Sequence, residues 1–405
     1  MPILCEVRVA AGIAADSRAP DRFLSPIVGL RGETWNGSED AVLAWVQLEQ
    51  GDKIPLIARD YEAIWCNFDV GATLETIRGE TYPGAELARP IVSRLPFDYS
   101  RLPTWFVGWA ARVLDRPVDL GRAPDYPAYP LDHSADLLFA LSRGDPDARP
   151  LSWPEGRRYA VVLTHDVDSS WIFENPRWLE AFAAAEAACG MRSAWFVVPT
   201  AIAGESSRRG LEWLRNAGHE IGVHGYRHDP ALAGRPFDEL VETFARGRAL
   251  VGAFHEGEPG YRAPWLSRSE TMRRALAAAG YLYDSSSPAA NIQRNNPRSN
   301  NGCGTLFPFM QDGLVILPVT LPQDLMTAPL AMEPQDYWDW IETLIGGISQ
   351  WGGLVVVSTH IQPHHSANEP MLQGYTRLLG RLSADVEAWF TLPREVAQWA
   401  RSRLG

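Results

Sequence analysis

The sequence predicts an α/β protein built on a parallel sheet, either open or closed into a barrel. Three observations carry that prediction. From residue 157 onward, short β-branched or aromatic runs alternate with helix-period stretches of roughly 10 to 20 residues, the pattern of strand and crossover helix. Many of the helical stretches end in Gly, which tolerates the left-handed conformation of a helix stop. Six of the nine histidines, His165, His224, His228, His360, His364 and His365, fall at the C-terminal ends of the predicted strands. That edge is where parallel α/β folds build their sites.

Taken in order, the chain begins less regularly. A helix is expected over EDAVLAWVQLEQG (39–51), followed by a short apolar run, EAIWCNF, and a second helix near PTWFVGWAARVLD (103–115). Between 121 and 156 the sequence turns rich in Pro and Gly, which removes backbone donors and breaks regular structure. This stretch reads as a linker holding one short helix, SADLLFALSR. The expected boundary lies near 150, with an N-terminal α+β domain before it and a catalytic domain over 151–405. The expected strands are RYAVVLTHD, RSAWFVVPT, HEIGVHG, PGYRAP, YLYDSS, LVILPVT, GLVVVSTH and EAWFTLP. Between and after them fall the helices PRWLEAFAAAEAACG, SSRRGLEWLRNAG, FDELVETFARGRALVGAFHE, SETMRRALAAAG, PQDYWDWIETLIGGISQWG, NEPMLQGYTRLLGRL and REVAQWARSRL.

Composition excludes several functions. The 405 residues carry a formal charge of −12, with no local basic stripe, so nucleic acid is not an expected partner. Lys occurs once, at Lys53 in GDKIPL, which rules out a phosphate-loop nucleotide hydrolase. Cys5, Cys66, Cys189 and Cys303 form no CxxC pair, so zinc ribbons and thioredoxin-type sites are excluded and a reducing compartment is compatible. Neither a signal peptide nor an apolar run of about 18 residues is found. The expectation is a soluble cytoplasmic protein without membrane insertion; self-association is left open.

The candidate chemistry lies at the strand ends. In VVLTHDVDSS, Asp166 and Asp168 are two residues apart, so in extended backbone both carboxylates face one way. In IGVHGYRHD, His224 and His228 are four apart and can converge on one ion if the backbone turns. Two imidazoles and the Asp168 carboxylate make the usual three-ligand set of a hydrolytic zinc or similar ion. GYRAPW places Arg262 where its permanent charge can hold Asp166 ionised. YLYDSSS places Asp284 at the next strand end, and VVVSTHIQPHH places His360 where it can protonate a leaving group. Each piece has a plainer reading alone, such as a turn, a surface ion pair or a core histidine. For His364 and His365 an exposed loop is the plainer reading.

The ordered motifs THDVD, HGYRH, RAPW, DSS and STH resemble those of the polysaccharide deacetylase family with the NodB-homology domain, carbohydrate esterase family four. The resemblance covers residues 157 to 405. It implies an irregular (β/α) barrel of about seven parallel strands and a metal-dependent deacetylase acting on carbon–nitrogen bonds other than peptide bonds. It further implies Asp166 as catalytic base, Asp168, His224 and His228 as ligands of one divalent ion, Arg262 as the residue orienting Asp166, and His360 as general acid assisted by Asp284. The ion is expected to be Zn2+, with Co2+, Ni2+, Mn2+ or Fe2+ as other candidates. The Trp265 backbone N–H becomes an oxyanion donor, and Trp265, Tyr226 and His364 become the candidates for substrate contact. Trp265 stands where the family has Tyr, and the DVD spacing resembles a subgroup that includes peptidoglycan-type relatives and hydrolases of cyclic amides. The expected substrate is therefore an N-acetylated amino sugar or carbohydrate precursor, with a small cyclic or linear amide as the alternative.

Two rivals are weaker. A haloacid-dehalogenase-type phosphatase shares the D-x-D strand but needs a downstream Lys, and none follows Lys53. A metal-dependent sugar-nucleotide transferase leaves His224 and His228 without a role. A catalytically silent carbohydrate-binding domain is the non-enzymatic alternative.

Overall fold

The computed structural model describes residues 128–405 apart from 146, 230, 256 and 293–299, together with 36–37, 41–47, 53–60, 63–82 and 85. The first described elements are strands β1 (Val42–Gln47), β2 (Lys53–Asp60) and β3 (Ala63–Cys66), an antiparallel sheet in the order β1-β2-β3. The helix expected over 39–51 is therefore corrected: its centre is a strand, pairing from Gln47↔Lys53 to Val42↔Ala58. VLAWVQ is rich in β-branched and aromatic residues, and a short apolar run reads equally as strand or helix until a partner is present. The expected helix over 103–115 lies outside the described residues. A helix not expected from the pattern, Val70–Arg78, follows β3 and is capped by the Asp69 side chain. The short helix in the Pro-rich stretch is found at Ser134–Arg143, stopped by Gly144 at φ 65°.

All eight expected strands after 157 are present. They are β4 (Tyr159–Val167), β5 (Ser193–Val197), β6 (Glu220–Val223), β7 (Gly260–Tyr261), β8 (Tyr283–Asp284) and, after the short pair β9 (Asn291–Ile292) and β10 (Asn300–Asn301) and the edge strand β11 (Phe309–Gln311), β12 (Leu314–Ile316), β13 (Leu354–Thr359) and β14 (Ala388–Phe390). The main sheet has nine strands in the order β11-β12-β8-β7-β6-β5-β4-β13, with β14 also on β4. Only β11 runs antiparallel. The strand number thus differs from the seven implied by resemblance, because the short strands β11 and β14 join the sheet, β11 at its edge beside β12 and β14 on β4. Among the described residues no pairing joins β11 to β13 or β14, so the sheet is curled and open.

The physical reason for this order lies in burial. Every residue of β4 is buried, as expected of a central parallel strand covered on both faces. Helices Pro176–Ala188, Glu205–Asn216, Phe237–Val251, Glu270–Ala278, Pro334–Trp351, Glu369–Leu382 and Pro393–Leu404 supply the cover. Several stop where glycines adopt positive φ, at Gly190, Gly218, Gly280 and Gly352. The packing aligns the C-terminal ends of β4, β6, β7 and β13, where the polar residues sit. Among the described residues, no helix is long and apolar enough to cross a membrane.

Candidate active site

The alternation of β4 sorts its polar end between two faces. Thr164 and Asp166 point to the side on which Arg262 bonds both, while His165 points to the other and bonds Glu186 and Thr359. Asp168, just past the strand, returns to the Asp166 side. His224 follows β6 directly, and Gly225 then turns the chain at φ 72°, where a Cβ would come within 2.9 Å of Pro264 and of the Arg227 carbonyl. That turn brings His228 back beside His224, with ring centroids 5.5 Å apart.

The structure brings Asp168, His224 and His228 together, with one donor atom from each lying within 4.8 Å of the others. Both imidazole Nε2 atoms stand 3.3 Å from Asp168 Oδ1. His224 Nδ1 donates to the Arg262 carbonyl at 2.9 Å, which turns the Nε2 lone pair toward the cluster. Asp168 Oδ1 is buried without a hydrogen-bond partner, whereas Oδ2 accepts from Gln362 Nε2 at 2.8 Å. An oriented nitrogen and a buried oxygen lacking a donor are what a divalent cation satisfies, so the donor set fits one. Burial pushes the Asp168 carboxyl up, yet His228 and His224 hold it well below the ordinary carboxylate range.

Beside this cluster Asp166 is almost wholly enclosed. Its Oδ1 accepts from Arg262 Nη1 at 2.9 Å, and Oδ2 accepts from Gln323 Nε2 at 3.3 Å and lies 3.6 Å from His360 Nε2. Arg262 is fully buried, its guanidinium 4.6 Å from the Phe196 ring centroid and bonded to Thr164, Ser358 and Ser285. Burial pushes the Asp166 carboxyl up, but the Arg262 charge outweighs it, with His224 and His360 adding to the fall below its ordinary value.

His360 follows β13, and its partner is Asp324, in a short helical turn after β12. Nδ1 donates to Asp324 Oδ1 at 2.7 Å, and the His360 backbone N–H donates to Oδ2 at 2.8 Å. Burial pushes the imidazole down, but the Asp324 carboxylate, helped by Asp168 and Asp166, raises it to about 9. The ordinary imidazole value is about 6.5. Because the folded value is the higher, the pair contributes stability that is complete below about pH 6.5 and is lost as pH rises through about 9. In metal-free protein we expect His360 to titrate near the upper value by NMR and Asp324→Asn to bring it down; an unmoved value would remove Asp324 as the cause.

The remaining expected residues are placed differently. Asp284 is buried at the end of β8 and accepts from Ser286; the carboxylate that pairs with His360 is Asp324. Burial raises the Asp284 carboxyl to about 6. Trp265 is 38% exposed with φ 60°, and its ring centroid stands 6.2 Å from that of His228. Tyr226 is half-buried and its hydroxyl accepts from Arg246 on an outer helix. His364 is exposed, whereas its neighbour His365 lies 5.7 Å from the His360 ring. Sequence reasoning missed Asp324, Gln323 and Gln362. A signal existed, because LPQD directly follows the run LVILPVT and Gln362 lies two residues past His360.

Residues 155–283 match the family model for polysaccharide deacetylase. A peptidoglycan deacetylase of Helicobacter pylori is 30% identical over 95 residues, 23% of this chain. The match spans 31% of that relative's length. The crystal structure of a Mycobacterium smegmatis protein assigned to the polysaccharide deacetylases superposes with a TM-score of 0.52 at 22% identity, covering 64% of this chain and 96% of that one. That likeness bears on the fold, a curled and mostly parallel α/β sheet. The PuuE allantoinase structure superposes with a TM-score of 0.47 at 14% identity, over 63% of this chain and 95% of that one.

Proposed function

We propose that the chain is a metal-dependent hydrolase that removes an acyl group, N-acetyl foremost, from an amino sugar or carbohydrate precursor. The observation that supports this reading most directly is one juxtaposition. A three-donor cation site of Asp168, His224 and His228 stands against a buried carboxylate, Asp166, which itself lies 3.6 Å from the imidazole of His360. A divalent cation, Zn2+ before Co2+, Ni2+, Mn2+ or Fe2+, supplies Lewis acidity toward an acyl carbonyl and acidifies water.

Every other role falls to the chain. Asp166, kept ionised by Arg262, accepts a proton from the water that adds to the carbonyl carbon. The Trp265 backbone N–H is the donor this reading assigns to the developing oxyanion. His360, held protonated by Asp324, donates to the nitrogen as the carbon–nitrogen bond breaks, so a carboxylate and an amine leave. Because Arg262 and Asp324 act through Asp166 and His360, they are positioning residues. In this reading Asp284 supports the β8 end.

The test is release of carboxylate from N-acetylated amino sugars, sugar nucleotides and small linear and cyclic amides, with and without chelator. Chelator-sensitive acetate release from an amino sugar is the expected result. Turnover of amides alone would select the small-amide alternative, and sugar binding without release would select the silent binding domain. A protein that holds no ion, or whose turnover ignores chelator, would overturn the mechanism.

A further inference from the structure

We infer that Glu80 and Arg268 form a brace by which the segment around Val70–Tyr82 holds the turn at Trp265–Leu266 beside the site. The catalytic consequence rests on the hydrolase reading above; the brace itself rests on geometry.

Trp265 and Leu266 both adopt left-handed backbone, at φ 60° and 50°, and neither is Gly. Consecutive non-glycine residues in that region persist only where the surroundings over-determine them. Within the turn, Leu266 N–H donates to the Ala263 carbonyl and Ser267 N–H to the Pro264 carbonyl. The Leu266 carbonyl accepts from Arg268 Nη1 at 2.8 Å. Through Nε and Nη2 the same guanidinium grips both carboxylate oxygens of Glu80. The side chains of this pair are 4% and 8% exposed. A planar guanidinium locked on two oxygens cannot rotate, so Glu80 sets the direction from which Nη1 reaches Leu266.

Glu80 is itself anchored. The neighbouring Tyr82 hydroxyl donates to the Gly302 carbonyl and accepts from the Gly302 N–H, at 2.7 and 3.0 Å. The Arg78 guanidinium lies 5.6 Å from the Phe309 ring centroid. All three residues precede the stretch that matches the family model, which begins at 155. The brace is therefore contributed by a part of the chain outside the matched region, and it gives that part a role in shaping the wall next to His228.

The experiment compares the full chain with Glu80→Gln and with the double variant Glu80→Gln, Arg268→Met. The single variant leaves a buried Arg charge unpaired and can fail to fold; the double variant removes both charges together. Hydrogen exchange is followed at the amides of residues 264–268, with metal content and steady-state kinetics on the same samples. In the double variant we expect faster exchange confined to that turn, an unchanged metal content, and kcat lowered about ten-fold or more with a smaller change in KM, as misplacement of a reacting contact predicts. Unchanged exchange across 264–268 would overturn the brace. Faster exchange without loss of kcat would overturn its catalytic consequence. A wild-type chain inactive on every substrate would overturn the hydrolase reading instead, and the exchange measurement would still decide the brace.

Discussion

Replacing His224 or Asp168 by Ala is expected to strip the purified protein of its divalent ion and to lower turnover by roughly 10³-fold or more. A Lewis-acid contribution of several kcal/mol corresponds to that factor at about 1.36 kcal/mol per decade. The two substitutions reach the result differently. His224→Ala removes an oriented lone pair whose direction is fixed by the Nδ1 bond to the Arg262 carbonyl. Asp168→Ala removes the oxygen that both imidazoles face and leaves Gln362 without its acceptor. Elemental analysis after dialysis is the readout, with circular dichroism to establish folding. A folded His224→Ala chain that retains one ion per molecule would show that the cluster is not the metal site.

The second large effect separates the base from the ligands. Asp166→Asn keeps the shape of the side chain and touches none of the three donor atoms, so metal content should stay as in the parent. Turnover should fall by about 10²- to 10⁴-fold, the usual contribution of a positioned base. The substitution also leaves Arg262 buried without its counter-charge, which typically costs about 3–5 kcal/mol when one partner of a buried pair is removed. Here Thr164, Ser285 and Ser358 still bond the guanidinium, so the loss of melting temperature should be smaller than that figure implies. Full activity in a metal-loaded Asp166→Asn chain would mean that another group takes the proton.

The structure also shows how sequence patterns decide some questions and leave others open. Strand β4 was legible because a continuous apolar run closed by Thr-His-Asp has few other uses, and the two-residue spacing put Asp166 and Asp168 on one side. The His224/His228 pair was legible for a similar reason, with Gly225 marking the turn that folds one imidazole back onto the other. Val42–Gln47 is a strand where the sequence predicts helix, because a six-residue stretch carries no period long enough to discriminate; its pairing with β2 supplies the missing information. Tyr226 sits between the two histidines in sequence, yet its ring faces Arg246, since adjacent residues in a turn diverge.

Asp324 illustrates the limit best. Both Asp284 and Asp324 follow apolar runs, and nothing local distinguishes them as partners for His360. The distinction comes from sheet order. Strand β8 lies between β7 and β12, whereas β13 lies at the far end against β4, and the short helical turn after β12 is what meets the end of β13. Local period and composition were enough to place the alternation of elements, the polar strand ends, and residue types that suit a cation, a base and an acid. The tertiary structure alone decided that Asp324 charges His360, that Gln362 steadies Asp168, and that Glu80 reaches Arg268. Each of those contacts joins residues far apart in sequence, and the distance between them is a property of packing rather than of either segment.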